Sequence, residues 1–206
     1  MDKNNKKIAI NTLIVYGRIA VTMLIGVFTS RFVLQALGAS DFGLYNVVGS
    51  VIGMYGFISG SLAGTTSRYI NYEMGRENGD TNKVFNVCNV LHLAMAVVML
   101  IILELFGIWY IDNYLKVAPG KLGDAMFCFQ VSTIVACIGI MNVPFQSIFQ
   151  AHEKFAFMAV VDVLNKVFTL IFTLILLVYK GNVLRLYSVL MSLLTASTFI
   201  IYHFAA

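Results

Sequence analysis

The sequence predicts an all-α integral membrane protein, and three observations carry that reading. Hydrophobic residues make up 59% of the 206-residue chain and charged residues only 12%, about half the charge of an ordinary soluble domain. The mean hydropathy is +0.84. The apolar residues gather into six stretches of the ~20 residues or more that a membrane crossing needs, at approximately 10–34, 42–66, 84–110, 124–148, 156–179 and 183–204. The intervening segments LGASD, RYINYEMGRENGDTNK, DNYLKVAPGKLG, AHEK and KGN are too short for a soluble domain. Residues 1–206 therefore read as a single six-span unit.

Taken in order, the first span follows the basic flank MDKNNKK. Its uncharged run 19–30 followed by ALGAS has the look of a signal peptide, but Arg18 and the long flank before it argue for a retained helix. The second span carries Gly49, Gly53, Gly56, Gly60 and Gly64 in the small-xxx-small intervals GSVIG, GFISG and GSLAG. Such spacing serves close packing of helices or a hinge. The third span holds an isolated His92 and a Glu104 with no evident partner. The fourth offers Gln130, Thr133, Asn142 and Gln146, and the sixth Arg185, Ser188, Ser192 and Thr195.

The fifth span is the most telling. Asp162, Asn165, Lys166, Thr169 and Thr173 recur at intervals of three and four, which is one face of a helix. Asp162 and Lys166 are spaced to pair along that helix at i,i+4. The first span repeats the pattern with Asn11, Arg18, Thr22 and Thr29. Ionised groups at the centre of a bilayer cost ~2.5–3.5 kcal/mol on insertion scales and usually face protein or water. At ~1.5 Å of rise per residue, Arg18 and Lys166 both fall near the midplane. Two cations at one depth beside one carboxylate suggest a positive, polar lumen, with Asn165, Asn142 and Gln146 contributing to its lining. A self-satisfied Asp162–Lys166 pair that only fixes helix packing is the plainer alternative. Arg31 and Arg185, near helix ends, are expected to snorkel.

Orientation follows from the loop cations. With the N-terminus inside, Lys3, Lys6, Lys7, Arg68, Arg76, Lys83 and Lys154 lie on one side. Lys116, Lys121 and Lys180, with Arg31 and Arg185, lie on the other. Seven against five favours a cytoplasmic N-terminus. A net charge of +4 is too small and dispersed to suggest nucleic acid. Cys88, Cys128 and Cys137 form no CxxC or Cys/His cluster, so they read as packing residues, with no metal site. His152-Glu153 begins like a zinc-peptidase helix, but Ala156 stands where the second His belongs. No phosphate-binding P-loop is present, no catalytic set is identified, and no cofactor is expected.

At residues 30–78, SRFVLQALGASDFGLYNVVGSVIGMYGFISGSLAGTTSRYINYEMGREN, the pattern R-x-x-L-x-x-L-G-x-x-x-F-G-L-Y-x-x-V precedes a Gly/Ser-rich span that ends in S-R. Here the chain resembles the N-terminal half of polysaccharide and O-antigen flippases, in the MATE-like multidrug/oligosaccharidyl-lipid/polysaccharide exporter superfamily. The later spans match by hydropathy more than by motif. The resemblance implies one lobe of a V-shaped, two-lobed transporter in the bacterial inner membrane. Its substrate would be undecaprenyl-pyrophosphate-linked oligosaccharide for polysaccharide or lipopolysaccharide biosynthesis. Arg18 and Lys166 are then candidates to hold the anionic headgroup, with Asp162 as a proton or sodium relay. The second six-span lobe is expected either in the remainder of a longer chain or in a partner copy. Two other readings compete: a MATE-type exporter of cationic drugs, which would favour an acidic chamber, and a membrane enzyme of glycan assembly.

Overall fold

The structure, a computed structural model, describes residues 3–206, with side chains from residue 5 onward other than those of residues 51, 54, 55, 57 and 58. Among the described residues there is no strand. Helix α1 spans Lys3–Met74 and α2 spans Thr81–Ile102; a π-helical turn, Leu103–Gly107, joins α2 to α3 at Ile108–Asn113. Helices α4 (Leu122–Ala151), α5 (Phe155–Leu176) and α6 (Val183–Ala205) complete the chain.

Among the described residues, five helical runs are long and apolar enough to cross a membrane: Asn5–Ser50, Thr81–Asn113, Leu122–Ala151, Phe155–Leu176 and Val183–Ala205. The first two predicted spans belong to one 72-residue helix. LGASD, expected as a connection, is helical apart from Gly38, whose φ of 72° and ψ of 168° lie in a region essentially reserved for glycine. An unbroken α1 would be roughly 110 Å long against a hydrocarbon layer of about 30 Å. The bend at Gly38 is what allows both halves to share one bundle. Five side chains of the predicted second span lie outside the described residues.

The other boundaries follow local chemistry. Helix α1 runs on to Met74, so the long second connection shrinks to a turn at 75–80. There a Cβ on Gly79 would overlap the Glu73 carbonyl. Asp80 then caps α2, accepting from the Lys83 N–H at 2.9 Å. Asn182 caps α6 through the Arg185 N–H at 3.0 Å. Helix α5 stops at Leu176, short of the predicted 179.

Helix α4 lies at the centre, packed on α1, α2 and α6, while α5 fills the space between α1 and α6. One buried cluster joins Val33, Leu37, Leu44 and Val48 of α1 to Cys128 and Phe129 of α4, Leu176 of α5, and Leu184 and Tyr187 of α6. A second, at the other end of the bundle, joins Phe145, Phe149, Val161 and Tyr202. The N-terminal half of α1 contributes little to either: no residue between 5 and 28 is buried.

Candidate functional site

The polar face of α5 is the natural starting point. The Arg18 Nη1 donates to Asp162 Oδ2 at 2.9 Å, linking α1 to α5. Both side chains are partly covered, at 25% and 40% exposure. The expected Asp162–Lys166 pair does not form: Lys166 is exposed and has no ion pair among the described residues. The carboxylate is instead taken by a guanidinium from the neighbouring helix. Arg18 and Asp162 were each singled out in the sequence, but their partnership crosses 144 positions. Nothing in the periodicity of one helix reveals it.

The rest of the stripe divides between other neighbours. Asn165 Nδ2 donates to Thr198 Oγ1 of α6 at 2.8 Å. Thr169 and Thr173 turn back on their own helix, donating to the carbonyls of Asn165 and Thr169, both at 2.7 Å, and Thr173 is fully buried. Asn142 is buried in α4, its Oδ1 without a hydrogen-bond partner among the described residues, as is Thr133 Oγ1. Gln146 is half-buried. The structure thus joins Arg18 to Asp162 and ties Asn165 to α6, with no hydrogen bond or ion pair among the described residues linking their side chains to Asn142, Gln146 or Lys166.

Beside the ion pair lies an apolar groove of about 340 Å³ between α1 and α5. Ile14, Gly17 and Val21 form one wall and Ala159, Val160, Val163 and Leu164 the other, with Arg18 also lining it. The groove opens outward from the bundle. A cation at the side of an apolar trough in a spanning segment can accept an anionic head while hydrocarbon lies along the helices.

The five glycines of the predicted close-packing stripe sit inside the continuous helix α1. A Cβ added at Gly49, Gly53, Gly56, Gly60 or Gly64 would meet nothing within 4 Å. No other described part of the chain packs on that face, and the only non-helical backbone within α1 is at Gly38. A close approach between helices occurs at Gly107 instead, where a Cβ would overlap the Phe129 ring.

Two ionic clusters at the ends of the bundle were not legible in the sequence. At the end holding the N-terminus, Glu153 pairs with Lys7 Nζ at 2.7 Å and accepts from Asn11 Nδ2 at 3.3 Å. Glu153 adopts φ 54° in the α4–α5 turn. At the opposite end Lys121 reaches Asp41 at 2.8 Å and Asp124 at 3.8 Å. Arg185 Nε, expected to snorkel, donates to Asp124 Oδ1 at 2.6 Å. The hydrogen bond from Lys121 to Asp41 holds the lysine above its ordinary pKa, assisted by both carboxylate charges and opposed by burial. Glu104 is partnered as well, accepting from Gln130 Nε2 at 2.9 Å. His92 is buried with Nδ1 2.8 Å from the Cys88 carbonyl, an in-helix contact of a packed side chain.

No protein-family model, curated protein or solved structure matches this chain.

Proposed function

We propose that this chain is a six-span lobe of a transporter that flips undecaprenyl-pyrophosphate-linked oligosaccharide units across the bacterial inner membrane for polysaccharide or O-antigen assembly. The reading starts from the resemblance at residues 30–78 and from the apolar helices, which fit a membrane-embedded protein. The observation that carries it is the Arg18–Asp162 pair beside an apolar groove within two spanning segments. An amphiphile with an anionic head and a long hydrocarbon tail suits that combination. A pyrophosphate competes with Asp162 for the Arg18 fork, which grips phosphate oxygens in pairs. Lys166, one turn beyond Asp162, adds a second positive charge. Asp162, released from Arg18, becomes free to take up a proton or sodium ion. The chemistry is translocation, with no bond made or broken. The second lobe comes from the rest of a longer chain or from a second copy.

The test is glycan export in cells carrying Arg18→Ala combined with Lys166→Ala. Export is expected to fall at least tenfold while the amount of protein in the membrane is held. Normal export at equal membrane levels would overturn the proposal. Intact export with a changed susceptibility to cationic drugs would favour a drug exporter in its place.

A further inference from the structure

A charged group near the end of α1 plays no part in the site described above. Arg68, in the last two turns of α1, is exposed and has no ion pair or hydrogen bond among the described residues. With Thr65, Tyr69 and Tyr72 it lines an open cavity of about 430 Å³. Their spacing places all four on one side of the helix. The opposite side, at Thr66 and Ile70, is buried.

Three carboxylates near this end of the bundle are already engaged, while Glu77 in the 75–80 turn is exposed and does not line the cavity. Glu73 receives Arg76 at 3.3 Å and the Asp80 N–H at 3.1 Å. Asp80 caps α2, and Glu153 holds Lys7. The cavity itself has donors and no acid. Thr65 turns its hydroxyl to the Ser61 carbonyl at 3.1 Å, which leaves the Arg68 guanidinium and the phenols of Tyr69 and Tyr72 to bind a ligand. The tyrosine rings are 60% and 67% exposed, unlike Tyr187 and Tyr202 in the core.

Depth identifies the partner. Arg68 stands 30 positions from the Gly38 bend, about 45 Å along the helix, which matches a bilayer of about 40–45 Å measured with its headgroups. With Gly38 beside the Asp41–Lys121–Asp124 cluster in the headgroup layer of one face, Arg68 and the adjacent Tyr69 reach the headgroup layer of the other. Tyrosine prefers that layer, and arginine there pairs with anionic headgroups. Its planar fork matches two oxygens of a phosphate.

We infer that Arg68, Tyr69 and Tyr72 form a binding site for the phosphate of an anionic bilayer phospholipid in the leaflet on the N-terminal side. The site is separate from the Arg18 groove and does not rest on the flippase reading.

Native mass spectrometry of the full chain in detergent, titrated with phosphatidylglycerol, tests it. The wild type is expected to retain one phosphatidylglycerol about tenfold more tightly than Arg68→Ala, a loss on the scale of one charge-assisted headgroup contact. Arg68→Lys should fall between them, because it keeps the charge and loses the fork. Lys83→Ala, which removes a nearby cation that lines no such cavity, should bind like the wild type. Unchanged melting temperatures would show that each variant folds. Equal binding by Arg68→Ala and wild type would overturn the inference. So would an equal loss in Lys83→Ala, which would make the attraction a diffuse field. Displacement by millimolar inorganic phosphate would reassign the site to free phosphate, and displacement by stoichiometric undecaprenyl pyrophosphate would reassign it to a transported lipid. Either result would overturn the assignment to a bilayer phospholipid.

Discussion

Glycine has opposite consequences at two places in this chain. Gly107 lies where the π-helical turn brings α2 against α4, and a methyl group there would intrude on the Phe129 ring, which is itself fully buried and has no room to move. Gly107→Ala should therefore destabilise the protein by about 1–3 kcal/mol, the usual range for overpacking. Gly56 and Gly60 are helical and face open space. Alanine at either should be neutral or stabilising by up to about 1 kcal/mol, since glycine is the weaker helix former. Thermal unfolding in detergent distinguishes the two cases. A large loss at Gly56 would show that a partner packs closely on that face. The ionic residues show a similar dependence on context. Arg18 has no acid within several turns on its own helix, yet it is satisfied by Asp162 of α5, while Lys166, which does have an acid one turn away, is left exposed.

Among the elements, α1 is distinctive because its halves serve different neighbours. Residues 7–21 meet α5 and the α4–α5 turn through Lys7–Glu153, Arg18–Asp162 and the groove. Beyond Thr29, α1 joins the core with α4 and α6. The two regimes are reconciled by Gly38. Because its φ/ψ pair is one that L side chains avoid, Gly38→Ala should straighten the bend and detach one half from its neighbours. Cysteine pairs at 7/153 and 41/121 would report this through a bifunctional thiol reagent. Both pairs should crosslink in the parent protein, and one should be lost in Gly38→Ala. Retention of both at parental yield would show that the bend does not depend on glycine. Helices α4, α5 and α6 were legible within about three residues at each end, because each is a single apolar run bounded by polar turns. The boundary between the first two spans was not, because LGASD is polar enough to suggest a loop although its backbone remains helical on both sides of one residue.

At the scale of the whole molecule, the bundle is closed at one end by the Asp41–Lys121–Asp124–Arg185 cluster, which ties α1, α4 and α6 together with the segment before α4. Lys121 is held above its ordinary pKa by Asp41, so its contribution has a definite sign. Stabilisation is complete below the unfolded lysine value of about 10.4 and is lost as pH rises through the higher folded value. Lys121→Met should accordingly melt below the wild type at pH 8, and the gap should narrow by pH 11. A gap of constant size would mean that the ammonium charge is irrelevant there. Elsewhere the surface is strongly apolar, with Leu13, Met23, Leu24 and Val27 of α1 among many large exposed side chains. That surface matches hydrocarbon, which needs no shielding, and explains how α1 can leave residues 5–28 without one buried side chain.

By itself, the sequence determined that the chain is helical, that its helices are apolar enough for a membrane, and which polar residues interrupt them. These are properties of composition and period, and they act over one or two helical turns. The tertiary structure decided how those polar residues are used. It paired Arg18 with Asp162, Glu104 with Gln130 and Arg185 with Asp124, left Lys166 and Arg68 exposed, and turned the glycine stripe away from the chain's own helices. Partnership of this kind depends on which helices are adjacent and in what register. Both follow from packing around α4 and from the bend at Gly38, and neither is encoded in the spacing of residues along a single span.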